Sequence, residues 1–237
     1  MREIGYTGVI LKKQPFGEAD EIITIFTKEK GKVRVLAKSI KLQKSKLSGS
    51  LQNLFLVEIF VAGKTFHLQK LIGARVLNNF ANLRQDLQKL KYVFYAQEMV
   101  LKFTADEHKN TELFNLFLEY LEYLDNQHKI GDFGPALAKF KIEFLENSGL
   151  KISYDKECLN SESLGFSSSK GGFIAGGHYR GKNLKPSFEL FLNLKDLKFG
   201  ETKEASSEVL HDLQEILSSF VEYQLERQVK SEKYLKA

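Results

Sequence analysis

The sequence predicts an α+β protein, with strands first and helices after. Residues 1–80 hold short runs of alternating apolar and polar residues, separated by turn residues. From Asn82 onward the apolar spacing changes to three and four. The charge changes with it. Residues 1–80 carry 14 Lys/Arg against 6 Asp/Glu, a net +8, and residues 81–237 carry 21 against 24, a net −3. A basic, strand-rich part joined to a near-neutral helical part suggests a polyanion-binding module on a separate platform.

The first strand is predicted in YTGVILKKQ, rich in β-branched residues and closed by Pro15. The second is DEIITIFTKEKG, alternating until Gly31. KVRVLAKSI alternates cleanly, with Val33, Val35 and Ala37 on one face and Lys32, Arg34, Leu36 and Lys38 on the other. LQNLFLVEIFVAG and KTFHLQKLIGARVL follow, with Gly63-Lys64 as a tight turn between them. Five such strands fit a small closed barrel, and the five-stranded OB-fold is the expected form.

The helices are predicted in order. NLRQDLQKLKYVFYAQEMVLKF starts at Asn82 as N-cap, and TELFNLFLEYLEYLDNQ has Thr111 as its cap. GPALAKFKIEFLENSG has Pro135 in its first turn and Gly149 at its stop. Ser187 is expected to cap a short helix, and SSEVLHDLQEILSSFVEYQLERQVKS is one long final helix. The predicted domains are thus 1–80, a nucleic-acid-binding barrel, and 81–237, a helical domain with an insert at about 154–183.

Composition narrows the function. The chain has 237 residues, 43% hydrophobic and 27% charged, with three prolines, which is ordinary globular usage. One cysteine excludes a disulfide framework and fits a reducing compartment. The start lacks a signal-peptide layout, and no apolar run approaches the roughly 20 residues of a membrane helix. A cytoplasmic protein without a membrane partner is expected. There is no P-loop or dinucleotide fingerprint, and His67, His108, His128, His178 and His211 are scattered.

The candidate nucleic-acid surface is RVLAKSIKLQKSKLSGS, with Arg34, Lys38, Lys41, Lys44 and Lys46 and no acidic residue. Lys32 and Lys70 extend it onto the strands. Ammonium groups on a barrel rim release condensed counterions from phosphates, which gives affinity without sequence preference. A solvated loop that only confers solubility would have the same composition. Phe16 and Phe66 could stack bases, but core positions are the better expectation for both. Glu18, Asp20 and Glu21 cluster at a hairpin. A metal-dependent nuclease would use such carboxylates, but turn residues that discourage edge pairing explain them better.

The order of these features resembles RecO, a bacterial DNA-repair and recombination-mediator family. The resemblance is carried by FGEAD (Phe16 to Asp20), by Ile25 to Lys32, by Ala37 to Ser45, by NLRQDLQKLKYVFYAQEM and by the ending YQLERQVKSEKYL. It implies an OB-fold barrel, a helical domain and no enzymatic activity. It also implies binding to single- and double-stranded DNA, annealing of complementary strands, and help in loading RecA onto strands coated by single-strand-binding protein. RecR and the acidic C-terminal tail of single-strand-binding protein are the implied partners, and the nucleoid the implied place. The alternative is another OB-type binder, for example of structured RNA.

The resemblance also bears on ECLNSESLGFSSSKGGFIAGGHYRG, which has the punctuation of a zinc ribbon. Many RecO proteins carry a four-cysteine zinc site there. The four positions fall on Cys158, Ser161, Ala175 and His178, so only two can bind zinc. A degenerate, metal-free insert is expected, held by Phe166, Phe173, Ile174 and Tyr179, with no cofactor.

Overall fold

The computed structural model describes residues 3–42, 47–63, 68–127, 132–201, 205–226 and 228–235. β1 (Glu3–Phe16) and β2 (Asp20–Thr27) form an antiparallel hairpin that ends at the pair Phe16↔Asp20. Pro15 does not close β1. It pairs with Glu21 next to the hairpin end, where little ladder remains for its missing N–H to disrupt. β3 (Gly31–Ala37) pairs with β2, β4 (Leu56–Ala62) with β1, and β5 (Gln69–Asn78) with β4, all antiparallel. Parallel pairing of β3 with β5, Val35↔Gln69 and Leu36↔Lys70, closes the barrel. The order β1-β2-β3-β5-β4 is that of a five-stranded OB-fold.

Alternation decides what fills it. Ile23, Ile25, Val33, Val35, Val57, Ile59, Val61 and Leu71 point inward and are buried. The opposite face of β2 is buried as well, because Phe26 packs on Phe114 at a ring distance of 5.8 Å. Gly31 has φ +73°, and a Cβ there would lie 2.1 Å from the His108 carbonyl oxygen. Only glycine permits that approach.

The first helical stretch is interrupted. α1 (Ala81–Gln85) ends, and α2 (Leu87–Phe103) starts afresh after Asp86, whose carboxylate accepts the N–H groups of Gln88 (2.8 Å) and Lys89 (3.3 Å). The cap is therefore Asp86 and not Asn82. For α3 (Thr111–Asn126) the cap is Asn110 and not Thr111, which is already helical: the Asn110 side-chain oxygen accepts the Leu113 N–H at 2.9 Å. α4 (Gly134–Asn147) has Pro135 in its first turn, and Gly149 follows it with φ +77°.

A short helix α5 (Lys156–Asn160) leads into the hairpin of β6 (Leu164–Ser167) and β7 (Gly172–Ala175). α6 (Lys185–Asp196) starts at Lys185-Pro186, two residues before the expected cap. Ser187 is buried inside α6. α7 (Ser207–Leu225) is capped by Ser206, breaks at Glu226 with φ +48°, and is followed by α8 (Glu232–Leu235). The single long final helix is thus two pieces. Lys230 and Ser231 donate their backbone N–H groups to the Glu98 carboxylate at 2.9 and 2.7 Å, which fixes the turn between them.

The change from strand to helix falls near residue 80, but compactness divides the chain differently. One unit is Met1–Gln85 with Met99–Asp125, and the other is Asp86–Glu98 with Asn126–Ala237. α2 contributes to both.

Candidate nucleic-acid interface

The outward residues of β3 have unlike surroundings. Lys32 is 9% exposed. Its ammonium donates to the carbonyl oxygens of Leu101 and Thr104, both at 2.7 Å, and lies 3.4 Å from an Asp106 carboxylate oxygen. The last carbonyls of a helix lack intrahelical donors, so Lys32 serves as the C-terminal cap of α2. An ammonium so placed is not available to a phosphate, which departs from the surface position expected for it.

Arg34 is exposed, and its guanidinium lies 3.6 Å from Asp106. Such an exposed pair holds its members weakly. Past the end of β3, Lys38 and Lys41 are exposed. The loop that carries them is tied to the β1–β2 hairpin. The Ser39 N–H donates to Asp20 at 2.7 Å, the Lys41 N–H to the Ala19 carbonyl at 3.0 Å, and the Lys41 ammonium to the Gly17 carbonyl at 3.4 Å. Asp20 is thus a structural tie. Glu21 lies 3.2 Å from Lys13 across the hairpin.

Phe16, expected in the core, is instead 50% exposed. It ends β1 at the hairpin tip, where among the described residues no second layer covers it. The loop therefore gathers Lys38, Lys41 and one open aromatic ring at one end of the barrel. Lys70 is exposed on β5 beside Leu36, so it borders the same end. Lys44, Lys46, Lys64 and Phe66 lie outside the described residues.

The other unit contains a cavity of about 490 Å³, walled by Leu137 and Leu210. The buried ammonium of Lys141 donates to Gln214 Oε1 at 2.7 Å and to the Ser218 hydroxyl at 2.9 Å. It also lies 4.3 Å from the centroid of the Tyr95 ring. Asp132, Glu215 and Glu232 line the same cavity. The Tyr92 hydroxyl donates to Asp132 at 3.2 Å, and burial together with that carboxylate pushes its pKa up to about 12. His211 lines the cavity too, and Glu215 is also paired with Arg180.

Two family models match this chain, Recombination protein O N terminal over residues 1–80 and Recombination protein O C terminal over residues 84–233. The chain belongs to the RecO family. Among curated relatives, the DNA repair protein RecO of Anaeromyxobacter sp. (strain K) is 28% identical over 252 residues, covering 99% of this chain and 96% of the relative. That of Gloeothece citriformis (strain PCC 7424) is 32% identical over 202 residues, covering 79% and 71%. That of Dehalococcoides mccartyi (strain CBDB1) is 36% identical over 155 residues, covering 64% of this chain and 58% of the relative. The matched part is thus less than two thirds of the length of this last relative.

The four positions singled out in the ribbon-like insert have unlike surroundings. Cys158 is buried, with its Sγ 3.5 Å from the Phe173 carbonyl oxygen, and burial pushes its thiol pKa up. The Ser161 hydroxyl donates to the Ser163 carbonyl at 2.6 Å and accepts the Gly176 N–H at 3.3 Å. Ala175 has no donor to offer, and His178 is exposed. Among the described residues, no group of three or more His, Cys, Asp or Glu is placed to hold a metal ion. This donor set does not fit structural zinc. Aromatic packing occupies the hairpin instead. Phe166 meets Phe173 at 5.2 Å and Phe220 at 5.8 Å, and Phe173 meets Phe188 at 4.9 Å and Phe191 at 5.4 Å. Tyr179 packs on Phe166 at 6.5 Å. Ile174 is only half-buried.

Proposed function

We propose that this chain acts in DNA repair and recombination as a DNA-binding protein without catalytic chemistry. It would anneal complementary strands and, with RecR, assist the loading of RecA onto single strands coated by single-strand-binding protein. The observation that carries the DNA-binding part is the exposed set Lys38, Lys41, Lys70 and Phe16 at one end of an OB-fold barrel in a RecO-family chain. Arg34 adds a loosely paired cation, while Lys32 belongs to the support. Lys44 and Lys46 continue the same basic run in sequence.

The physical step is screening. Two polyanions resist approach, and cations that neutralise phosphates on both lower that barrier without nucleotide hydrolysis. Family membership supports RecR and single-strand-binding protein as partners, and association with the nucleoid in the cytoplasm follows from a DNA ligand. The acidic tail of single-strand-binding protein would dock on the helical part. The insert works without zinc.

An annealing assay with complementary oligonucleotides, run with and without Mg²⁺ and ATP, tests the reading. Annealing without nucleotide is expected. Strand cleavage, or binding confined to structured RNA, would overturn it.

A further inference from the structure

The outer wall of the barrel is covered on one side and open on the other. On β2 and β3, Phe26 is fully buried against Phe114, and Lys32 lies beneath the end of α2. On β4 and β5, Phe60 is 38% exposed and Ile72 40%. Phe60 pairs across strands with glycine on both sides, Gly5 of β1 and Gly73 of β5. A Cβ at Gly73 would come 3.3 Å from Phe60 Cδ2, and one at Gly5 would come 3.7 Å from Phe60 Cε1. The ring therefore reaches over both glycines and lies along the sheet. Covering bare backbone accounts for its inner face. Its outer face is left to solvent.

The charges around this ring are ordered. Lys70 sits opposite Ala62 and Arg75 opposite Glu58, so the ring has a cation on each diagonal along β5. Arg75 donates to Glu58 through Nε at 3.1 Å, and a terminal nitrogen lies 2.9 Å from the same carboxylate. That fixes the fork and leaves further guanidinium N–H groups free in number for a second acceptor. Among the described residues, the acidic groups beside this face are Glu58, already paired with Arg75, Glu3, opposite Ala62, and Glu29, whose carboxylate accepts the Thr7 N–H at 2.9 Å where Thr7 pairs with Glu58. Lys70 also adjoins Leu36, one residue before the turn that leads to Lys38. The exposed cations at the barrel end thus continue through Lys70 to Phe60 and Arg75.

We propose that Phe60 is a stacking platform for an unpaired nucleobase, with Lys70 and Arg75 contacting phosphates on either side of it. The inference rests on the DNA-binding reading and extends the track from the loop onto the β4–β5 wall. A flat ring accepts any base, because every base has a π-face. This suits a protein that handles strands irrespective of sequence.

The chain has no tryptophan, so Phe60→Trp creates a single fluorescent reporter. Oligothymidylate should quench it saturably, and an abasic sugar–phosphate chain of the same length should not. Phe60→Leu keeps an apolar cover over the glycines but removes the π-face. It should bind oligothymidylate about 5- to 100-fold more weakly and the abasic chain as well as the parent does. Anisotropy of the labelled strand follows binding independently. Binding with an unquenched indole, or equal quenching by the abasic chain, overturns the platform and leaves DNA binding standing. Quenching that grows with protein concentration alone assigns the face to a second copy and likewise overturns it. No binding of any strand overturns the DNA reading and the platform together.

Discussion

The two ends of β3 use the same side chain for opposite purposes. At the start of the strand, Lys32 is buried and its ammonium closes the carbonyl end of α2. Just past the other end, Lys38 and Lys41 stand in solvent on a loop tied to the β1–β2 hairpin. Alternation puts Lys32, Arg34 and Lys38 on one face; Lys32 and Arg34 both reach Asp106, while Lys38 lies past the end of the strand. What covers that side differs along its length. The residues over Lys32 come from 101–106, some seventy positions later, whereas Lys38 is exposed. A basic run in sequence is therefore a surface only where no later element docks on it.

This contrast is open to direct attack. Lys32→Ala carries the largest expected effect. Removing the ammonium leaves two helix-end carbonyls without their donor, at a cost of about 2 kcal/mol in urea unfolding. The salt dependence of DNA binding should stay that of the parent, and a lower slope would make Lys32 a phosphate contact after all. Next is the variant with Lys38, Lys41, Lys44 and Lys46 all replaced by Ala. Affinity should fall about tenfold or more at low salt, from a parent whose log affinity falls against log salt with a slope on the order of −3 to −4. Its stability should change by less than about 1 kcal/mol. Unaltered binding would reduce the loop to a solvated one.

Arg34→Ala lies between these two in position and below both in effect. Its pair with Asp106 is exposed, so stability should move by less than about 1 kcal/mol. The salt slope should drop by about one contact, measured by titration over a range of salt concentrations. A smaller effect belongs to Asp155 in the insert, whose carboxylate accepts the Cys158 N–H at 3.0 Å. That bond, from a donor held at the start of α5, is the main reason its carboxyl pKa is lowered. A lowered carboxyl pKa stabilises the fold above the ordinary carboxylate range and ceases to do so as pH falls through the lowered value. Asp155→Asn should therefore melt below the parent at pH 7 and converge with it in acid. At the bottom of the scale, EDTA should leave the melting temperature unchanged, and elemental analysis should find well below one zinc per chain. Stoichiometric zinc would restore Cys158 and His178 as ligands.

Much of the fold was legible because its signals are local. Period-two alternation marked β3 with Val33, Val35 and Ala37 inward, and all three are buried. The Pro and Gly signals placed both ends of α4. Asp86 was passed over as a cap because the apolar spacing runs on through it. The site was less legible, since its arrangement depends on partners distant in sequence. Phe16 looked like core because phenylalanine usually is, and only the missing second layer at the hairpin tip leaves it open. Phe60 rests on glycines of two other strands, Gly5 and Gly73, which no local pattern in β4 reveals. In the insert, the lost ligands could be counted from sequence. That Ser161 turns its hydroxyl into the local backbone could not.

The parallel seam between β3 and β5 has a kinetic consequence. It consists of Val35↔Gln69 and Leu36↔Lys70, whereas the other four junctions of the barrel run over seven or more pairs. A short parallel ladder is the easiest one to part. The barrel then behaves as a curled sheet with a latch, and its amides do not report one common opening event. Those of the latch trade hydrogen for deuterium through brief local openings, while those between β1 and β2 wait for the whole unit to unfold. Lys70 sits on that latch, so a polyanion held there would slow exchange at the seam before it slowed exchange anywhere else in the barrel.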